Sequence, residues 1–429
     1  MKKFIYILLA AAAAFTACKK DDSPKINEVT VQVLIGEDLV TDAVDVTVTD
    51  KSTSTVYTAT TVGGTATFNL VAGVYEATST LYKESSIYNG TNSAVTVVDG
   101  EVNSFTLNLV ASTTSQVIIK ELYFGGCMDN AGSKHYQYDR YVILYNNSPV
   151  EADASKYAFA IACPSNGHAT NAYLKDGVLT YSDYIPAWSA VWWFQSDVKI
   201  APYSQVVLAI NGAVDHTATY SNSVDLSSAD YAFYYPEVFN NTTNYPAPSA
   251  SIPSSNYLQT YCYAMGNAWA ISNSSPAFFV FSPEGTTTKD FVTNPDNVES
   301  PTLVKAMNCA KIPVSWIKDA VEVFDNANLK KSNKRLLDSV DAGYVCSTNK
   351  LGYTVYRNVD KEATEALAEN AGKLVYNYAG GTADVEGGST DPSGIDAEAS
   401  IAAGAHIVYK DTNNSTNDFH LRKVASIKK

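Results

Sequence analysis

The sequence predicts an all-β protein built from two β-sandwich domains, a small one followed by a larger one that carries long loops and one short helical segment. Composition points this way first: 29 Tyr stand among many Thr and Val, and 23 Gly with 15 Pro supply turns. Short runs that alternate apolar and polar residues, set apart by turn signals, point the same way. At 429 residues the chain is too long for one small core and calls for more than one domain.

The first element is an export leader over residues 1–17. Lys2 and Lys3 precede an apolar run from Phe4 to Phe15, and Thr16 and Ala17 lead into Cys18, the order of a secretory signal. The run falls short of the roughly 20 residues that cross a bilayer. A cysteine directly after small residues at the end of such a run resembles the lipobox of bacterial lipoproteins, with Phe15 standing where Leu is usual. The resemblance implies acylation of Cys18, no cofactor beyond that covalent lipid, and a tether over residues 18–27. Each buried methylene of the acyl chains adds roughly 0.8 kcal/mol to membrane attachment. Lys19, Lys20, Asp21 and Asp22 follow, and a short acidic cluster at this place resembles the surface-export signal of Bacteroidetes lipoproteins. The expected location is the outer membrane, lipid-anchored and displayed on the cell surface. A solvated tether is the plainer reading of the same residues.

The formal net charge is −14, and loss of Lys2 and Lys3 with the leader makes it more negative. An acidic surface repels phosphate backbones, so nucleic acid is not an expected partner. With Cys18 acylated, Cys127, Cys163, Cys262, Cys309 and Cys346 remain. An exported location permits disulfides, an odd count leaves a thiol over, and the pairing stays open. No CxxC pair is present, which leaves a structural zinc site without support.

Residues 28–112 are expected to form the small sandwich. Val29, Val31 and Val33, then Val44, Val46 and Val48, then Ala66, Phe68 and Leu70 recur at period two. Gly36, Gly63-Gly64, Gly73 and Asp99-Gly100 mark the turns between them. One face is expected to be buried and the other wet. The stretch TVGGTATFNLVAGVYEATSTLYK, with Gly64, Phe68, Gly73 and Tyr75, resembles the transthyretin-like or carboxypeptidase-regulatory-like sandwich. That resemblance implies a spacer or interaction module.

Residues 113–429 are expected to form the larger domain. VIIKELYFGGC alternates and reads as an opening strand; DRYVILYNNSPVEADASKYAFAIAC adds two strands, and IAPYSQVVLAINGAVDH repeats the pattern. Glu121 on the first strand, Tyr145-Asn146-Asn147 closing the second, and a Pro202-led strand from Val206 to Ile210 resemble a lamin-tail-like immunoglobulin sandwich. From about Ser115 onward the chain also resembles an uncharacterised family of Bacteroidetes surface lipoproteins, a domain of unknown function. KELYFGGC, GYTVYR at Gly352 to Arg357 and DTNNSTNDF at Asp411 to Phe419 carry that resemblance, which implies no activity. Two segments are long for loops: Ser221 to Tyr263, aromatic enough to be ordered, and Ala379 to Ala399, expected to be mobile. A helix, or equally two short ones, is expected from Ser315 to Leu337, where Trp316, Ala320, Val323 and Phe324 share a face and Lys330, Lys331, Lys334 and Arg335 suit a C-terminal end.

Candidate chemistry is sparse. The chain holds five histidines, no GxSxG elbow and no HExxH pair, so an enzyme is not expected. Cys127, Met128 and His135 lie on a glycine-containing loop, where soft sulfur with imidazole is able to hold copper or contact haem iron. A turn beside a buried core cysteine accounts for them as well. Asp411, Asn413, Asn414, Asn417 and Asp418 offer oxygen ligands for calcium without the glycine and closing glutamate of an EF-hand loop, and turns in which Asx side chains bond the backbone are the better account. Tyr181, Tyr184, Trp188, Trp192 and Trp193 form the densest aromatic stretch, with Tyr231, Tyr234 and Tyr235 in the first long loop. If exposed, Tyr184, Trp188, Trp192, Trp193, Tyr234 and Tyr235 offer flat apolar faces to a sugar or a protein partner; if buried, they fill a core. Adjacent on a strand, Trp192 and Trp193 must point to opposite faces.

Anchor, export-like cluster, aromatic loops and missing catalytic motifs lead to a non-enzymatic surface lipoprotein. Its expected role is accessory or ligand-capture component of a TonB-dependent outer-membrane transporter, with the membrane and the barrel as partners. A cell-surface adhesion or structural module is the alternative, which needs no deep pocket near the long loops. A metal or haem binder is the third reading, and it requires Cys127 and His135 within ligand distance.

Overall fold

The computed structural model describes residues 24–53, 55–83, 86–112 and 114–428. Cys18 and the Lys19, Lys20, Asp21, Asp22 cluster lie outside the described residues. Strands dominate, and among the described residues no helix exceeds six residues. The protein is all-β.

Residues 26–112 make two facing sheets. In one, Ile26–Ile35 pairs antiparallel with Asp38–Leu39 and Thr65–Val71 and parallel with Asn103–Asn108. The other runs Val56–Thr60, Asp45–Asp50, Gly73–Lys83, Ser86–Val97, Val110–Ser112. Val29, Val31, Val46, Val48, Phe68 and Leu70 fill the core between them, one parity of each alternating run. The sheets approach closely at Gly90, where a Cβ would stand 2.2 Å from the Asn108 carbonyl oxygen, so only glycine fits there.

Beyond Val117 two six-stranded sheets stack. The first runs Tyr231–Ala232, Gln205–Ala209, Tyr141–Asn146, Val117–Tyr123, Thr354–Arg357, Phe419–Arg422. The second runs Gln259–Cys262, Ala190–Trp193, Ala158–Ile161, Ala277–Phe281, Ile317–Asp325, Val345–Ser347. Ile119, Leu144, Phe159, Trp192, Phe278 and Val321 lie between them. The outer faces are covered too. Ala160, Val191 and Phe279 share a cluster with residues of a three-stranded sheet formed by Tyr184–Trp188, Cys309–Pro313 and Val298–Glu299. Ile118, Tyr145 and Tyr356 pack with Ile395, Ile407 and Tyr409.

With both faces covered, Val117–Tyr123 is not the alternating strand expected: all seven residues are buried, Lys120 and Glu121 included. Buried charge is tolerated when it is paired and hydrogen-bonded. Lys120 Nζ lies 2.7 Å from Glu398 Oε1 and donates to Gln205 Oε1 at 2.6 Å. Arg335 donates to Glu322 Oε1 through Nε at 2.8 Å and Nη2 at 2.6 Å. Arg357 donates to Asp319 and faces Asp411 at 3.4 Å and Asp418 at 3.8 Å.

The helix expected from Ser315 to Leu337 is corrected. Val314–Trp316 is a 3-10 turn, Ile317–Asp325 is a strand, and Asn326–Lys331 is again 3-10. Val321 and Val323 face one core while Ala320 faces the other, so a strand buried on both sides imitates one face of a helix. Its β-branched residues suit the strand. The segment from Ala379 to Ala399, expected to be mobile, is pinned instead. Val359 N donates to Asp391 Oδ2 and Leu421 N to Ser389 Oγ, both at 2.9 Å, and Thr382 is fully buried.

Candidate functional site

Where the small sandwich meets the larger region, a cleft of about 1110 Å³ opens. Its first wall is the outward face of the five-stranded sheet. Thr47, Thr78 and Thr91 stand in register across three neighbouring strands, and Thr49 pairs with Glu76 in the next row. The period that sends Val46, Val48 and Ala77 into the core sends these residues the other way. Among the described residues no hydrogen bond within the protein engages the hydroxyls of Thr47, Thr49 or Thr78.

The facing wall comes from the larger region. Leu174–Lys175 and Val178–Leu179 form a hairpin closed by Asp176 and Gly177, whose φ angles are 52° and 81°. Asp-Gly is a favoured pair for the two-residue turn that needs positive φ at both positions. It holds Val178, 68% exposed, at the cleft. Further along, Phe324 and Tyr344 stack with ring centroids 4.3 Å apart.

Hydrogen bonds beside the cleft join the two bodies. Thr91 N donates to Asp338 Oδ2 at 3.1 Å and the Thr91 hydroxyl to the Ala342 carbonyl. The Asn89 amide donates to the Thr412 carbonyl, and Asn417 Nδ2 to Thr80 Oγ1 at 3.1 Å. The charged lining is balanced: Asp50, Glu76 and Asp338 stand against Lys51, Lys330 and Lys334. Burial pushes the Glu76 carboxyl above its ordinary range against the pull of Lys51, whose Nζ is 3.9 Å away. Burial raises Asp338 likewise, against Lys334. Burial also pushes the Cys346 thiol up to about 12, which leaves it protonated and unreactive at neutral pH.

Of the aromatic stretch singled out in the sequence, Tyr181 borders the cleft as a buried side chain, and the six candidate contact residues lie elsewhere. Trp192 is fully buried between the large sheets, with ring centroids 5.1 Å from Phe233 and 6.4 Å from Trp269, so its place as a contact surface is corrected to core packing. Tyr234 and Tyr235 pack partly buried against the same core. Trp193, on the opposite strand face, packs against the second core together with Trp188 and Tyr184. Trp188 Nε1 donates to the Ala306 carbonyl at 3.0 Å, and Tyr184 OH to Glu299 Oε2 at 3.3 Å. None of the six lines the cleft.

Cys127–Met128 and His135–Tyr136 form a short antiparallel pair in which Cys127 faces Tyr136 and Met128 faces His135. Paired residues share a face and neighbours alternate, so Cys127 and His135 point to opposite sides. The Cys127 thiol is aimed at Asp139 Oδ2, 4.0 Å away, and burial pushes it up to about 12. His135 Nε2 is 2.8 Å from the Gly125 carbonyl oxygen. The pairing separates the trio, and the local geometry is a turn beside a core cysteine. In the Asp411–Asp418 segment, Asp418 accepts from Thr412 N and Oγ1, both at 2.8 Å, and Asn414 caps the Ser415–Asp418 helix through Thr416 N. Asn414 and Asp418 thus serve the local backbone, while Asp411 and Asp418 also face Arg357 and Asn417 reaches Thr80. Cys127, Cys163, Cys262, Cys309 and Cys346 are free thiols.

Residues 201–379 match the model of a protein family of unknown function, DUF4876. The DUF4876 match contains GYTVYR and the Phe324–Tyr344 part of the cleft, and it leaves out the small sandwich. Among solved structures, a DUF4876 family protein from Bacteroides thetaiotaomicron VPI-5482 is similar over 92% of this chain and 94% of that one, at 21% identity and a TM-score of 0.52. That is a likeness of fold, and its extent takes in both the small sandwich and the larger region. The Bacillus anthracis TIE protein aligns over 42% of this chain and 28% of that one at 12% identity, with a TM-score of 0.16, too low for a shared fold. No curated protein matches the chain. The resemblance to an uncharacterised Bacteroidetes domain of unknown function is borne out.

The cleft residues were missed in the sequence, although two signals for them were present. DVTVTD carries Thr47 and Thr49 at the parity opposite its core valines. LKDGVL carries the Asp-Gly hairpin signal between apolar residues.

Proposed function

We propose that this chain is a non-enzymatic surface lipoprotein, anchored through Cys18, that captures a ligand for a TonB-dependent transporter of the outer membrane. The cleft carries this reading: about 1110 Å³ lies between two bodies hydrogen-bonded to each other, with the unengaged hydroxyls of Thr47, Thr49 and Thr78 on one wall and Leu174, Val178 and Leu179 among the mixed side chains of the other. A spacer needs no such site. The leader, the lipobox-like Cys18 and the acidic cluster after it support the location.

The non-enzymatic part is supported by where the imidazoles sit. None of the five histidines lines the cleft. His216 is held between Tyr136 OH and the Gly212 carbonyl, both at 2.6 Å. His420 is held between Asn358 and Tyr378 at 2.7 and 2.8 Å. Neither is placed to take a proton from a bound molecule.

The test is affinity purification of the tagged, lipidated protein from detergent-solubilised native outer membranes, followed by mass spectrometry. One TonB-dependent barrel at stoichiometric yield is the expected result. Recovery of the lipoprotein alone would overturn the transporter role and bring adhesion forward.

A further inference from the structure

We propose that the cleft binds an uncharged, hydroxyl-rich chain, an oligosaccharide of several rings. The inference rests on the capture reading and names the chemistry of its ligand.

The threonine wall is the first argument. Thr47 and Thr78 stand side by side at the strand spacing of about 4.8 Å with unengaged hydroxyls, Thr91 continues the row with its own hydroxyl given to the Ala342 carbonyl, and Asn92 and Asn108 extend the polar surface. A threonine hydroxyl both donates and accepts, as a sugar hydroxyl does. Such a row meets a polyol without fixing which partner gives the proton. A peptide strand would instead seek unpaired backbone groups at a sheet edge, and the threonine row lies on a sheet face.

The opposite wall supplies the complement. Leu174, Val178 and Leu179 present apolar surface there, with the buried rings of Tyr181 and Phe324 behind them, which suits the C–H faces of pyranose rings while their hydroxyl edges meet the threonines. Charge then selects. The formal net charge of the chain is −14, yet the cleft lining counts three acidic side chains against three lysines, so it does not share the acidic excess of the chain. Size adds the last constraint. At about 1110 Å³ the cleft lies at the upper end of the roughly 300–1,000 Å³ of small-molecule sites, which leaves room for more than one ring.

Isothermal titration calorimetry on the full lipidated chain, in a detergent without a sugar headgroup, tests this. The probes are maltohexaose, cellohexaose, xylohexaose, mannohexaose and chitohexaose, with hexagalacturonate and hexaalanine as charged and peptide controls. At least one neutral hexasaccharide is expected to bind while both controls do not. Thr47→Val with Thr78→Val, which keeps side-chain shape and strand preference, is expected to weaken binding at least tenfold without moving the thermal unfolding midpoint. Binding by none of the five, binding by a control in their place, or binding indifferent to the double substitution would overturn the inference. If no neutral sugar binds and the barrel still co-purifies, the ligand class is wrong and the capture reading survives. If a sugar binds and no barrel is recovered, the transporter role fails and the ligand class stands.

Discussion

The small sandwich and the larger region are both stacks of mainly antiparallel sheets, yet they dispose of their surfaces in opposite ways. In Asp45–Asp50, Val46 and Val48 meet a core while Thr47 and Thr49 face outward. In Val117–Tyr123 and Tyr141–Asn146 every residue is buried, because a second layer covers the outer face. A sheet with one bare face can hold hydroxyls ready for a ligand. A sheet covered on both faces must satisfy every polar group internally, and it encloses ion pairs such as Arg357 with its three aspartates.

The comparison breaks most readily at Arg357. Arg357→Met leaves Asp319, Asp411 and Asp418 without their cation, and urea unfolding should show a loss of about 3–5 kcal/mol. A loss under about 1 kcal/mol would mean that the enclosed network is not what holds the covered sheet, since that is the range of exposed pairs. Next in size is Val142→Thr, which buries a hydroxyl on a strand with no wet side and should destabilise by about 1–3 kcal/mol.

The pH dependence sharpens the same contrast. Burial, with Arg422 adding to it, pushes the His420 imidazole down to about 3 from the ordinary 6.5. Between those values the unfolded chain binds the proton that the folded chain refuses. The His420 contribution is therefore complete above about pH 6.5 and is lost as pH falls toward 3, by at most about 1.4 kcal/mol per unit. His420→Gln should flatten that part of the slope in urea unfolding at pH 7, 5.5 and 4, and an unchanged slope would reject the assignment.

Gly177→Ala places a Cβ at φ 81° and should cost about 1 kcal/mol, read as a lower unfolding midpoint. Thr47→Val, on the bare face, should change stability by less than about 0.5 kcal/mol. A larger effect there would show that the threonine wall is part of the packing and not a surface.

How much was legible follows the same division. The small sandwich could be read because alternation is local: Val29, Val31 and Val33 reach its core as their parity requires. In the larger region the second layer erased that signal. Ile317–Asp325 could pass for a helix because Ala320 and Val321 serve different cores, and Trp192 could pass for a contact surface because nothing beside it in the chain says that Phe233 and Trp269 will cover it.

By itself the sequence determined the all-β class and the inward parity and turns of the first sandwich, all of which depend on residues within a few positions of one another. Only the tertiary structure decided that Lys120 meets Glu398, that Cys127 and His135 diverge, and that Thr47 and Tyr344 belong to the two bodies that bound one cleft. Those outcomes depend on which sheets stack and in what register. Side-chain periodicity sets which face of a strand is buried and leaves open what it is buried against.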